Sequence, residues 1–150
     1  MALKEQINND LKAALLGGDR FKGEVLRGLK AAILNEEVAQ GKRDDGLDDV
    51  AIEQLVAREV KKRNESATIY DGAERPELSK NERDEAKVLA EYLPEQVSEE
   101  IITILVNRLI TEGSLSGPSA MGQVIGAVKK ELGNSADGAT VARIVKNALQ

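Results

Sequence analysis

Arg63, Glu82 and Glu85 are the polar residues most out of place in this chain, because each interrupts apolar positions spaced for one helix face. Ile52, Val56, Val60, Ala67 and Tyr70 share a stripe with Arg63, while Ala86, Leu89, Tyr92 and Leu93 share one with Glu82 and Glu85. Arg27 sits similarly beside Ala31, Leu34 and Val38. A guanidinium in a packed seam needs carboxylate partners, since an unpaired buried charge is strongly destabilising. Two chemistries fit. In the favoured one, Arg63, with Arg27 or Arg75, pairs with Glu82 or Glu85 and fixes how three helices dock. In the other, the same groups form a site for an anionic or amine ligand, or a carboxylate-based reaction centred on Glu82, Glu85 and Arg63.

Residue types exclude most other chemistry. The 150 residues contain no Cys, His or Trp, which removes thiolate nucleophiles, Ser–His and Cys–His pairs, and the ligand sets for zinc and haem. Carboxylates alone could hold a metal; no metal, cofactor or catalytic residue is expected. With Phe21, Tyr70 and Tyr92 as the only aromatics, the chain cannot build a base-stacking platform.

Two basic clusters remain. Arg58, Lys61 and Lys62 interleave with Glu59 and Glu65, the pattern of a solvated helix face. The second cluster is different. Gly122 and Gly126 lie four apart and lead to Lys129 and Lys130, beside an apolar face of Met121, Ile125, Val128 and Leu132. An interior glycine costs a helix roughly 0.8–1 kcal/mol relative to alanine, so two of them call for a reason. Close packing of another helix is the simpler one, and close approach of a phosphodiester backbone is the functional one.

These side chains must be carried by helices. Leu3, Ile7, Leu11, Ala14 and Leu15 form one stripe, stopped at Gly17-Gly18. Asp19 caps a second helix with Phe21, Val25, Leu29 and Ile33 on its apolar face, closed at Gly41. Asp48 or Asp49 caps a third that runs to about Tyr70, and Ser79-Lys80-Asn81-Glu82 reads as the capping box of a fourth. Ser98 caps a fifth, Pro118 starts a sixth that ends at Gly133, and Asp137 caps a seventh. The loop from Gly133 to Gly138 is expected to expose the N–H groups of that last helix. No segment alternates with period two, so the fold class is all-α. A boundary at Pro94 gives an N-terminal domain of about four helices, residues 1–94, and a three-helix tail, residues 95–150.

With 41% hydrophobic and 31% charged residues, the chain can bury a core. No apolar run reaches the roughly 18 residues of a membrane span, and the first residues lack an apolar leader. No membrane association is expected, and cytoplasmic residence follows as the default. The net charge of −5 lies entirely in residues 1–96; the remainder is neutral, and from Gly117 onward Lys129, Lys130, Arg143 and Lys146 outnumber Glu131 and Asp137.

Leu26-Arg27-Gly28-Leu29-Lys30-Ala31-Ala32-Ile33, Lys62-Arg63, Arg75 with Leu78, Glu82 and Glu85, and Tyr92-Leu93-Pro94 resemble the YqeY proteins in order and spacing. Met121-Gly122-Gln123-Val124-Ile125-Gly126, Ala136-Asp137-Gly138 and Val145-Lys146-Asn147-Ala148-Leu149 resemble the GatB/YqeY tail. No single motif is specific, but their ordered sum covers essentially the whole chain. The resemblance implies an all-helical protein with a tail like that of the B subunit of glutamine-dependent aspartyl/glutamyl-tRNA amidotransferase, where the shared domain helps hold tRNA. It also carries a carbon–nitrogen ligase label with glutamine as amido donor. Transamidation needs a glutaminase and an ATP-dependent activating site, and the chain shows neither a phosphate-cradling glycine loop nor an activated nucleophile. The expected function is therefore a tRNA-binding accessory module, not catalytic alone, using Lys129, Lys130, Arg143 and Lys146 against phosphates beside Gly122 and Gly126. The alternative is a protein-interaction module docking on an amidotransferase or aminoacyl-tRNA synthetase.

Overall fold

The structure is a computed structural model that describes residues 2–150. Among these residues there are seven α-helices and no β-strand, so the fold is all-α: α1 Leu3–Leu16, α2 Arg20–Ala39, α3 Asp49–Gly72, α4 Pro76–Ala90, α5 Glu99–Gly113, α6 Met121–Leu132 and α7 Gly138–Leu149. Short 3₁₀ turns, Pro118–Ala120 and Gly133–Ser135, flank α6. The chain divides into two compact units, Met1–Leu93 and Pro94–Gln150.

Local side-chain chemistry starts four of the helices. Asp19 accepts from the Lys22 N–H at 3.1 Å, Asp48 from Ala51 at 2.8 Å, Ser98 from Ile101 at 3.3 Å, and Asp137 from Thr140 at 2.9 Å. The capping box at Ser79 does not form. Pro76 opens α4 one turn earlier, because its fixed φ and missing N–H suit a first helical position. Ser79 is consequently inside the helix and buried, where it accepts from Arg83, and Glu82 is left to pair elsewhere.

In the first unit, α3 spans about 36 Å and forms a hairpin with α4, the most extensive helix pair of the molecule. Helices α1 and α2 pack on it around Ile7, Leu11, Leu26, Leu29, Ile33, Ile52, Val56, Leu89 and Tyr92. The Tyr92 hydroxyl donates to Asp10 Oδ2 at 2.6 Å, tying the end of α4 to α1. Burial, then the facing Asp10 carboxylate, raises the Tyr92 pKa, so the phenol stays protonated.

The second unit has its own core of Ile102, Leu105, Val106, Val124, Val128, Val141, Ile144 and Val145, drawn from α5, α6 and α7. Its leading segment is stitched to the turn before α7. The Val97 N–H donates to the Ser135 carbonyl at 2.9 Å, and Gln96 Nε2 donates to the Pro94 and Asn134 carbonyls, both at 2.9 Å.

Candidate nucleic-acid interface

Arg63 occupies a half-buried position between α3 and α4. Its guanidinium lies 3.4 Å from Glu82, 3.6 Å from Glu85 and 3.8 Å from Glu59, the last from its own helix. Desolvation raises the Glu85 pKa; Arg63 pulls it down, while the neighbouring Glu82 pushes it up. A cleft beside this cluster is lined by Glu24, Val25, Gly28, Leu29, Glu59, Arg63, Glu85 and Leu89. Among the described residues no acidic cluster is arranged to hold a metal ion. The geometry is that of an inter-helix clamp.

Arg27 and Arg75 are not part of it. Both are exposed, and neither forms an ion pair among the described residues. On α2 the buried stripe runs Leu26, Leu29, Ile33 and Glu37, which turns Arg27, Ala31, Leu34 and Val38 to solvent. Arg75 precedes the first residue of α4 and so lies off its buried face.

That same stripe contains a residue the sequence reading missed. Glu37 is 1% exposed and accepts from Lys4 Nζ at 2.8 and 3.0 Å and from the Leu47 N–H at 3.0 Å. The Lys4 hydrogen bond lowers the Glu37 pKa against the opposing effect of burial. Gly46 allows this closure: its φ is +78°, and a Cβ there would lie 3.3 Å from Glu37 Oε2. Signal for Glu37 was available, since it follows Ile33 by one helical step of four.

The tail presents a different surface. Gly122 and Gly126 are exposed, and a Cβ built on either meets nothing within 4 Å. The glycine face of α6 is therefore open; α7 does not cover it. Lys129 and Lys130 continue from it in the last turn of α6, and Lys146 lies in the last turn of α7. All three lysines are exposed and form no ion pair among the described residues. Their helix-end positions are also favoured by the helix dipole. The one acid adjoining them on α6, Glu131, is engaged by Arg108 at 2.7 Å.

Two expectations for this surface change. Arg143 is exposed but paired with Glu99 of α5. The α7 amide end is occupied by its own residue: Asp137 Oδ2 accepts both the Thr140 N–H at 2.9 Å and the Thr140 hydroxyl at 2.8 Å. The cap takes one of the orphan N–H groups and places a carboxylate where an anion would otherwise sit. By contrast, the Arg58, Lys61 and Lys62 run is laced with carboxylates at 3.8, 4.0 and 3.5 Å, from Glu36, Glu65 and Glu59. No helix among the described residues is long and apolar enough to cross a membrane.

Comparison with known proteins adds lineage to this geometry. The model of the Yqey-like protein family matches residues 4–149. A Lachancea thermotolerans protein named "Altered inheritance of mitochondria protein 41, mitochondrial" is 32% identical over 116 residues, covering 75% of this chain and 60% of that protein. Its namesake from Kluyveromyces lactis is 26% identical over 125 residues, covering 79% of this chain and 66% of that protein. The chain thus matches less than two thirds of each relative's length. Both relatives are named as mitochondrial, which overturns the expectation of cytoplasmic residence. That expectation rested on the want of an apolar leader, which speaks to secretion and membrane insertion and not to organelle import.

Proposed function

The chain belongs to the Yqey-like protein family, and from that premise we propose that it is a tRNA-binding accessory module whose tail contacts the phosphate backbone. The observation that carries this reading is the open Gly122/Gly126 face running into unpaired Lys129 and Lys130. Two interior glycines weaken a helix, and here no neighbouring backbone or side chain occupies the space they leave. A backbone ligand can approach α6 closely there, with Lys129, Lys130 and Lys146 supplying charge. The resemblance of Met121–Gly126 and Val145–Leu149 to the amidotransferase B-subunit tail supports tRNA as the RNA class. The carbon–nitrogen ligase label then describes the assembly such a module serves, and the chain contributes RNA contacts to it.

Three lysine–phosphate contacts give a log–log salt slope of about −2.7 on duplex-like RNA. Titrating labelled tRNA into the full chain at about 50 and 200 mM salt measures it. Saturable binding that weakens steeply with salt is the expected result; no binding at the lower salt refutes the reading. A docking role on an amidotransferase or synthetase is the second reading, favoured by Ile101 and Ile104, large apolar side chains exposed on α5. Capture of such an enzyme that survives ribonuclease treatment would select it.

A further inference from the structure

The tail treats its arginines and its lysines differently. Arg108 is held by Glu131 at 2.7 Å and Glu112 at 4.0 Å, and Arg143 donates to Glu99, whereas the three lysines are unpaired among the described residues. Glu99 sits in the first turn of α5, directly after the Ser98 cap, where the helix dipole favours a carboxylate. It is therefore well placed on its own helix before any partner is counted. Arg143 lies midway along α7, and the two side chains are 62% and 55% exposed.

An ion pair this exposed is weakly held and exchanges readily with other anions. A backbone phosphodiester offers a guanidinium a pair of oxygens as a carboxylate does, carries the same single negative charge, and adds the release of condensed counterions. We infer that Glu99 occupies the phosphate-binding face of Arg143 in the free protein and competes with the RNA backbone for it. Glu99 then sets how many cations the tail brings to RNA: three while the pair holds, four when it opens. The inference rests on the reading of the tail as an RNA-binding module, and it assigns a tuning role to an acid that reading does not use.

The test compares the full-length protein with Glu99→Gln, Arg143→Ala and the double variant, titrating labelled tRNA across salt. Glutamine keeps the size of the side chain and removes its charge, and a thermal melt of each variant verifies folding. Glu99→Gln is expected to tighten binding about two- to fivefold at low salt and to steepen the slope from about −2.7 toward −3.6. In the Arg143→Ala background, adding Glu99→Gln is expected to give no gain. Unchanged affinity and slope in Glu99→Gln overturn the inference while leaving tRNA binding intact. So does a gain that survives in the double variant, because Glu99 would then repel phosphate directly. Absence of tRNA binding by every protein, the parent included, refutes the functional reading itself and so is distinct from either result.

Discussion

The two units are built from similar helices, yet only the first places charge inside its packed seams. In the first, the charges that enter packed seams are consumed internally: Lys4 by Glu37 and Arg63 by three glutamates. In the second, no charged residue is buried, three lysines stay unpaired among the described residues, and two glycines hold a helix face bare. Charge that is spent on docking helices is unavailable to a ligand. Basic residues are thus informative only when their partners are known, and the acidic whole-chain balance is a poor guide to what either unit can bind.

On this contrast, damage to the first unit is expected to appear as lost stability and damage to the second as lost binding. Glu37→Ala should give the largest stability effect. It leaves the Leu47 N–H without its acceptor and Lys4 without its partner, lowering the first unit's stability by about 2–4 kcal/mol in denaturant titrations. Glu37→Gln, which keeps an acceptor, should cost less. Next in size, Gly122→Ala with Gly126→Ala should stabilise the tail by about 1–2 kcal/mol, since both sites are open and helical. The same pair should weaken tRNA binding by obstructing close approach. A stabilised tail with unaltered binding would break the link between the glycines and RNA.

Arg63→Met should leave a folded protein whose first unit is weaker by roughly 1–2 kcal/mol, with tRNA affinity unchanged. Unfolding or loss of RNA binding would sink the division between the units. The smallest effect is a pH dependence of opposite sign at two glutamates. The folded Glu85 pKa is raised by desolvation, so acidification from above that pKa toward the ordinary 4.5 adds stability. The folded Glu37 pKa is lowered by Lys4, so its contribution is complete above 4.5 and is lost as pH falls through the folded value. Melts of Glu85→Gln and Glu37→Gln across this range should differ from the parent in opposite directions.

What the sequence made legible was local. Asp19, Asp48, Ser98 and Asp137 announce helix starts because each cap is a bond between neighbours in the chain. Ser79 misled for the same reason, since a stronger local signal, Pro76, lay three residues before it. The clamp partners of Arg63 were readable because an arginine within an apolar stripe has few places to go. Arg27 shows where that logic fails. Helix α2 carries two stripes with nearly the same spacing, Phe21-Val25-Leu29-Ile33 and Arg27-Ala31-Leu34-Val38, and packing against α1, α3 and α4 buries the line Leu26, Leu29, Ile33 and Glu37, leaving Phe21 exposed with the second stripe. Glu37, one step beyond Ile33, is the anomaly on the stripe that won. In the tail, glycines spaced by four serve close packing and an open face equally well, so the spacing could not choose between them. Compartment was never encoded in those local signals, and the mitochondrial names of the relatives displace the cytoplasmic expectation.

The most direct measurement pits the two basic clusters against each other in one titration with labelled tRNA at low salt. One variant carries Lys129→Gln, Lys130→Gln and Lys146→Gln; the other carries Arg58→Gln, Lys61→Gln and Lys62→Gln, removing the same charge from the first unit. The tail variant is predicted to lose more than roughly tenfold in affinity and most of the salt slope, and the other to stay within about twofold of the parent. Equal losses, or a larger loss from the first-unit variant, would contradict an RNA surface located in the tail.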